Sequence, residues 1–166
     1  MKRKIGFLVC LILVLFCTAA LAADIKINEK NFPDPVFRDY VKQYDKNKDG
    51  KFSKEEIEKI YSITVDRKQI TSLKGIEHFS QLSDLSCQFN QLKEINVSKN
   101  KNLTSLECDN NQLTKLDVSK NSKLVYLSLM YNQIRKLDAS KNPVLKVLSC
   151  RNNQITELKL GKIESL

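Results

Sequence analysis

The chain has 166 residues and a formal net charge of +9, with 28 basic residues, 19 acidic residues and one histidine. The lysines stand singly among Ser, Asn and Asp, without an arginine-rich run or interleaved aromatic residues, which argues against a nucleic-acid-binding protein. The histidine, His78, has no nucleophile at motif spacing. Composition therefore favours a binding or structural protein over an enzyme.

The first 22 residues have the order of a secretory signal peptide. Residues 1–4 are basic, residues 5–16 are apolar, and small residues precede a cleavage site after Ala22. A membrane anchor is the alternative, but the apolar run is shorter than the roughly 20 residues that a spanning helix needs. Cleavage would remove three basic residues and no acidic ones, which lowers the net charge to +6. We expect a secreted or cell-surface protein with no membrane span after signal cleavage.

Residues 45–56 read D-K-N-K-D-G-K-F-S-K-E-E and match the ligand order of an EF-hand calcium loop. The six ligand positions are filled by Asp45, Asn47, Asp49, the backbone carbonyl of Lys51, Ser53 and Glu56. Gly50, at the sixth position, supplies the sharp turn that such a loop requires. The pattern predicts a Ca²⁺ site.

Helical patterns flank this loop on both sides. Apolar and aromatic residues recur at helical spacing before it, and residues 55–61 predict a second helix with Ile57 and Ile60 facing inward. The sequence contains no second such loop, and lysines balance the acidic residues of this one. We therefore expect weak binding, with a dissociation constant of about 10⁻⁴ to 10⁻³ M. The alternative is a calcium-free turn that serves only as a helical cap.

From Leu82 onward, apolar residues return every 21 residues in four rows. The rows open at Leu82, Leu103, Leu124 and Leu145, and each carries an asparagine, at Asn90, Asn111, Asn132 and Asn153. The pattern L-x-x-L-x-[LC]-x-x-N-x-[LI]-x-x-[LI] resembles the leucine-rich repeat, whose units consist of a short strand, an asparagine turn and a return segment. A degenerate row precedes these four and has Lys68 in place of the asparagine.

The predicted architecture is an α/β solenoid of short parallel strands with an N-terminal helix-loop-helix cap. The boundaries are residues 1–22 for the signal peptide, 23–61 for the EF-hand-like cap and 62–166 for the repeats. A solenoid exposes apolar core at its ends, so the cap would cover one of them. Leu166 falls at the first position of a further row, so we expect additional sequence or another chain to cover the opposite end.

The chain from residue 25 onward resembles bacterial secreted leucine-rich-repeat proteins in which a short EF-hand-like cap precedes 21-residue rows. The segments I-K-I-N at residues 25–28, N-F-P-D at residues 31–34 and L-D-V-S-K-N at residues 116–121 carry this resemblance together with the loop. For function, the resemblance implies binding to a protein partner outside the cell. It supplies no identity for that partner.

Three cysteines remain after signal removal, and all occupy the same inward position of a row. Cys87, Cys108 and Cys150 align with Leu129 in the row between, which favours small buried hydrophobic side chains. Cys150 lies two rows from Cys108, beyond disulfide reach, whereas Cys87 and Cys108 belong to adjacent rows. We expect free thiols, with one bridge between Cys87 and Cys108 as the alternative.

The strand side chains that face away from the core are the candidate binding surface. One row carries Tyr126, Met130 and Tyr131, residue types that are enriched at the centres of protein interfaces. The remaining candidates are Phe89, Glu107, Asp109 and Arg151. We expect a protein-binding module of adhesion or host-interaction type. The alternative is a structural spacer or a fragment of a larger surface protein.

Overall fold

A computed structural model describes residues 24–162 of the chain. The predicted signal peptide and Leu166 lie outside these residues. Two α-helices and nine strands follow one another in the described part, together with 3₁₀ helices at Lys42–Tyr44 and Ile76–His78. Their bounds are β1 Ile25–Lys26, α1 Pro35–Val41, β2 Lys51–Phe52, α2 Lys54–Ile57, β3 Ser62–Thr64, β4 Asp84–Ser86, β5 Ser105–Glu107, β6 Tyr126–Ser128, β7 Lys136–Ala139, β8 Val147–Ser149 and β9 Glu157–Leu160.

The predicted solenoid is confirmed by a five-stranded parallel sheet in the order β3-β4-β5-β6-β8. Ile63 pairs with Leu85, Leu85 with Leu106, and so on along the sheet, so the row positions read from the sequence coincide with the strand register. Alternating side chains point into the core and away from it, as the pleat of a strand requires. Ile63, Leu106 and Leu127 have no exposed surface, and they stack into one continuous core.

The asparagines after each strand form a ladder of hydrogen bonds along the solenoid. The amide nitrogen of Asn111 donates to the carbonyls of Cys87 and Cys108, and its oxygen accepts a 3.0 Å hydrogen bond from the N–H of Leu92. Each amide thus pairs backbone groups in two adjacent rows that would otherwise be buried without partners. We call Asn90, Asn111, Asn132 and Asn153 the turn ladder.

The N-terminal cap packs on the first row through aromatic rings. Phe32, Phe37, Phe52 and Phe79 have no exposed surface, and the ring centroid of Phe32 lies 5.8 to 6.2 Å from those of its neighbours. Gly75, with φ of +107°, lets this ring approach, because a Cβ at that position would lie 2.3 Å from Phe32. His78, in a short 3₁₀ helix, is one of these neighbours and therefore belongs to the cap interface.

The second helix is shorter than predicted. Helix α2 spans only Lys54–Ile57, whereas the sequence pattern predicts a helix through residue 61. A capping box between Ser53 and Glu56 starts the helix. The apolar residues at positions 57 and 60 fit both a helix face and the first solenoid row. In the structure Ile60 belongs to the row, because it is 3% exposed and leads into β3.

Two strands also lie on the return side of the solenoid, which the sequence pattern did not predict. β7 and β9 pair in parallel from Lys136 with Glu157 to Ala139 with Leu160. The last described row leaves apolar side chains open, since Leu158 and Leu160 are 43% and 42% exposed.

Candidate partner-binding face and calcium loop

The side of the five-stranded sheet that faces away from the core is termed the strand face. It consists of four columns that run across the rows: Ser62, Asp84, Ser105, Tyr126, Val147; Thr64, Ser86, Glu107, Ser128, Ser149; Asp66, Gln88, Asp109, Met130, Arg151; and Arg67, Phe89, Asn110, Tyr131, Asn152. Every lysine of residues 24–162 lies elsewhere. The strand face therefore differs in charge from the rest of a basic molecule.

The predicted cluster of large side chains is present in one row of this face. Tyr131 is 47% exposed, and Tyr126 and Met130 are half-buried. Arg151, in the next row, places its guanidinium carbon 5.7 Å from the centre of the Tyr131 ring and its Nε 3.1 Å from the sulfur of Met130. The arginine thus joins two of the predicted contact residues into one group.

The column from Arg67 to Asn152 has a left-handed backbone in every row, with φ between 53° and 57°. Asn110 and Asn152 are residue types that tolerate this conformation, but it is unfavourable for a bulky side chain. Phe89 and Tyr131 nevertheless adopt it and remain exposed. Strained residues of this kind are concentrated at functional sites.

The aromatic rings of this column are paired with arginines. The guanidinium carbon of Arg67 lies 3.7 Å from the centre of the Phe89 ring, which is 41% exposed. Arg151 makes a looser contact with Tyr131, two rows further along, with its guanidinium carbon 5.7 Å from the ring centre. Phe89 is therefore accessible as predicted, but one of its faces is covered by a positive charge.

Asp109 is 4% exposed and serves the framework of the strand face. Its carboxylate accepts 2.6 Å hydrogen bonds from the hydroxyl of Ser128 and the N–H of Met130. Asp66 makes the equivalent bonds two rows earlier, to Ser86 and Gln88. Of the three charged residues predicted to contact a partner, Glu107 and Arg151 are therefore accessible, whereas Asp109 fixes the backbone beneath them.

Glu107 is a half-buried carboxylate among other acidic groups. Burial is the main cause that raises its pKa, and the negative charges of Asp109 and Asp66 raise it further. The side-chain amide of Gln88 donates to Glu107 at 2.7 Å. Among the ion pairs of the described residues, none involves these three carboxylates. The centre of the strand face thus retains negative charge that could attract a positively charged partner.

The predicted calcium ligands of the first half of the loop converge on the loop backbone. Oxygens of Asp45 and Asn47 both accept a hydrogen bond from the N–H of Asp49, at 3.2 and 3.1 Å. The second oxygen of Asp45 accepts from the N–H of Gly50, whose φ of +79° is the left-handed turn expected there. The N–H of Lys51 in turn donates to Asp49. The side-chain oxygens therefore lie on the inside of one tight loop.

Glu56 closes this loop onto its beginning. Its two carboxylate oxygens accept hydrogen bonds from the N–H of Lys46 at 2.8 Å and from the N–H and hydroxyl of Ser53 at 2.9 Å. Burial tends to raise the pKa of Glu56, but the hydrogen bonds from Ser53 and Lys46 outweigh it, and the net pKa is lowered. The twelfth-position ligand is thus already held as a carboxylate next to the first position.

The oxygen donors of the loop fit the preference of calcium for hard oxygen ligands, but the carboxylates alone do not form a site. Within residues 24–162, no three His, Cys, Asp or Glu side chains are grouped closely enough to hold a metal ion. The carbonyl of Lys51 and the side chains of Asn47 and Ser53 would be needed as well. The ammonium of Lys51 also lies 3.6 Å from Asp49, where it competes with a cation.

The N-terminal strand pairs with the short strand inside this loop. β1 pairs antiparallel with β2, so that Ile25 lies opposite Phe52 and Lys26 opposite Lys51. The N–H of Ile27 also donates to the carbonyl of Gly50 at 2.9 Å. The seventh and eighth loop positions are therefore held by the chain itself, although the sequence contains no second EF-hand-like loop.

All three cysteines of residues 24–162 are free thiols. Cys87 and Cys108 are fully buried, and the thiol of each approaches a strand carbonyl of the next row, at 3.4 and 3.3 Å. Burial raises the pKa of both thiols strongly. Cys150 is only half-buried.

The sequence pattern missed the groups that join the cap to the solenoid. Asp34 caps helix α1 and also binds residues 71 and 72, which lie 37 and 38 positions further along the chain. The hydroxyls of Tyr40 and Tyr44 lie 3.3 Å from the N–H of Thr64 and the carbonyl of Ser62 and so cover polar groups of the edge strand β3. An aspartate directly before a proline and a helical pattern is a recognisable helix-capping signal, but its second partner is visible only in three dimensions.

Comparison with solved structures gives the same architecture in a protein of a bacterial pathogen. The functional domain of InlJ from Listeria monocytogenes matches 84% of this chain with a TM-score of 0.73 and 33% sequence identity. The chain is a leucine-rich-repeat solenoid. The match covers 34% of that solved chain, so this leucine-rich-repeat chain spans about a third of its length. The InlJ domain is described as including a cysteine ladder.

Two further internalins of Listeria monocytogenes share the fold at lower identity. InlF matches 80% of this chain and 47% of its own with a TM-score of 0.63 and 20% identity. Internalin C2 matches 84% of this chain and 78% of its own with a TM-score of 0.54 and 19% identity. No protein-family model and no curated protein matches the leucine-rich-repeat chain. Within its described residues, no helix has the length and apolar character needed to cross a membrane.

Proposed function

We propose that this leucine-rich-repeat chain is a secreted or cell-surface protein-binding module whose strand face recognises its partner. The main support is the contrast between that face and the rest of the surface. The face has no lysine among residues 62–152 and combines exposed aromatic side chains with carboxylates. Aromatic and arginine side chains are enriched at the energetic centres of interfaces, whereas lysine is depleted there.

The chemistry of the face indicates the kind of partner. Tyr126, Met130 and Tyr131 provide an apolar centre, and Glu107 and Asp84 lie beside it without a salt bridge among the described residues. We therefore expect a partner surface that combines apolar groups with Lys or Arg. Opposite charges across an interface accelerate association, so binding should weaken as salt concentration rises.

Calcium stabilisation of the cap is part of the same proposal. In this view, the ion is bound by Asp45, Asn47, Asp49, the carbonyl of Lys51, Ser53 and Glu56. The bound ion would make the loop rigid and so restrict the motion of the first row, which the loop contacts. The connection is short: Tyr44 directly precedes Asp45, and its hydroxyl lies 3.3 Å from the carbonyl of Ser62 in β3. Helix α1 and the loop would then hold the edge of the strand face in place.

The decisive experiment compares two double variants of the secreted protein in a partner-capture assay. Tyr126→Ala with Tyr131→Ala should reduce capture of a specific partner by about 2 kcal/mol of binding free energy or more. Lys99→Glu with Lys120→Glu changes the return side and serves as the matched control. Loss of capture in the lysine variant alone would move the binding site to the return side. Recovery of the protein from the medium with Ala23 as its first residue would establish secretion.

A spacer role is the second candidate, supported by exposed apolar side chains near the end of the described residues. Leu158 and Leu160 expose apolar surface on the return side of the solenoid. A spacer would show no partner that depends on Tyr126 and Tyr131, so the same assay separates the two functions.

A further inference from the structure

A second asparagine ladder runs along the solenoid, and its hydrogen bonding differs from that of the turn ladder. We term Asn100, Asn121 and Asn142 the corner ladder; these residues lie 21 positions apart and are 0 to 1% exposed. The amide nitrogen of Asn121 donates to the carbonyls of Val97 and Asn100 at 3.0 and 2.8 Å. Asn100 and Asn142 make the equivalent two bonds to the row before them.

Among residues 24–162, no donor lies within hydrogen-bond distance of the amide oxygens of the corner ladder. The Oδ1 atoms of Asn100, Asn121 and Asn142 are fully buried and unpaired. In the turn ladder the corresponding oxygens all accept a backbone N–H; that of Asn132, for example, accepts from Leu113 at 2.9 Å. In the turn ladder, both the nitrogen and the oxygen of the asparagine amide therefore have hydrogen-bond partners. In the corner ladder, only the nitrogen does.

Exchanging the positions of oxygen and nitrogen in these side-chain amides cannot explain the unpaired oxygens. If the amide of Asn121 were turned over, its oxygen would face the carbonyl oxygens of Val97 and Asn100, and two hydrogen bonds would be replaced by repulsion. A buried acceptor without a donor is unfavourable because it loses its hydrogen bond to solvent, and this arrangement occurs three times. Buried polar groups in native proteins are almost always paired, often with ordered water.

We propose that each of these three rows contains one buried water molecule that donates a hydrogen bond to the corner asparagine oxygen. Rows lie about 4.8 Å apart, whereas a water-to-water hydrogen bond spans about 2.8 Å. The waters are therefore three separate sites, one for each row. Water is the occupant because it is small and donates two hydrogen bonds.

The first row lacks such a site. Phe79 lies 21 positions before Asn100 and occupies the same corner, where its N–H bonds to Ile76 and its carbonyl accepts from Leu82, as in the asparagine rows. Its ring packs 5.6 Å from that of Phe52 in the cap. The solenoid thus begins with a dry corner under the cap and continues with hydrated ones.

A crystal structure at about 1.5 Å resolution or better tests the proposal on the intact protein. We expect an ordered water within about 3 Å of Oδ1 in Asn100, Asn121 and Asn142. The oxygens of Asn90, Asn111 and Asn132 are the internal control and should bind no buried water. A backbone N–H within hydrogen-bond distance of the corner oxygens, or empty density beside them, would overturn the proposal.

A variant and a solution measurement extend the test. Asn121→Leu should remove one water and leave those beside Asn100 and Asn142 in place. In solution, the side-chain amide protons of the corner ladder should show magnetisation transfer to long-lived water, and those of Asn111 and Asn132 should not. If the variant fails to fold, the wild-type crystal structure and the amide measurement decide the question, and equal transfer in both ladders would contradict the assignment.

Discussion

Asp34 and Thr71 join the cap to the solenoid through a single carboxylate oxygen. The Oδ2 atom of Asp34 accepts hydrogen bonds from both the N–H and the hydroxyl of Thr71 at 2.8 Å. Its Oδ1 atom accepts from the N–H groups of Val36 and Phe37 at the start of helix α1. One buried side chain therefore starts the helix of the cap and attaches it to the first row.

We predict that Asp34→Asn lowers the free energy of unfolding by about 2 kcal/mol, because hydrogen bonds to a charged group contribute about 1.5 to 3 kcal/mol. The asparagine can keep an acceptor toward only one of the two sets of donors. The matched control is Asp39→Asn on the same helix, whose ion pair with Lys42 is exposed and contributes little. Urea denaturation measures both changes, and equal effects of the two variants would contradict the role of Asp34.

The same carboxylate should make stability depend on pH in the acid range. Burial tends to raise the pKa of Asp34, but hydrogen bonds from Phe37, Thr71 and Ser72 outweigh it and lower the pKa. A lowered folded-state pKa stabilises the fold above the unfolded value of about 3.9, and this contribution is lost as pH falls through the folded value. The difference in unfolding free energy between wild type and Asp34→Asn should therefore shrink below about pH 4.

The second prediction concerns calcium. Millimolar calcium should raise the melting temperature, by an amount that corresponds to about 1.4 kcal/mol when the ion is at ten times its dissociation constant. Magnesium should have a smaller effect because it tolerates only near-ideal octahedral geometry. Glu56→Gln preserves the capping box and should abolish the calcium effect, whereas Glu55→Gln, one residue earlier, should not. The absence of both binding heat and a melting shift in the wild type would exclude the site.

The third prediction orders the thiols by reactivity. Cys150 is half-buried and should react first with a thiol reagent in the folded protein. Cys87 and Cys108 should react only after unfolding, because burial excludes the reagent and raises the pKa of both thiols. Reagent titration with and without denaturant measures this order. An intact mass two hydrogens below that of the reduced chain would instead reveal a bridge.

The fourth prediction separates stability from recognition on the strand face. Tyr131→Asn places at this left-handed position the residue type already found at Asn110 and Asn152. The melting temperature should stay the same or rise, because asparagine relieves backbone strain. Partner binding should weaken, since the exposed ring is lost. A large fall in melting temperature would show that the ring in its contact with Arg151 is structural.

The repeat pattern predicts most of the fold because each row position has one physical requirement. A position that must be buried in every row is visible as a leucine column, and a turn that must pair backbone groups is visible as an asparagine column. The spacing of the loop also predicts calcium ligands, because the spacing of EF-hand ligands is a property of the local chain, and that site stays a prediction.

The sequence was less informative where one residue satisfies two patterns or where the partner is distant. Ile60 fits a helix face and a solenoid row, and only the three-dimensional packing shows that the row prevails. Asp109 looks like a rim charge, but its bonds to Ser128 and Met130 make it a buried support. The attachment of Asp34 to residues 71 and 72 has no local sequence signal at all.

Hydrogen bonds in the solenoid connect each row to its immediate neighbours. Strand β5 pairs only with β4 and β6, and Asn121 reaches back only as far as Val97. A row of 21 residues is therefore an exchangeable unit. Duplication of residues 103–123 would lengthen the strand face by one strand while the cap, which contacts the first row, keeps its interface. The framework and the recognition residues can thus change independently, so that one scaffold can acquire new partners by substitution at outward positions or by gain and loss of whole rows.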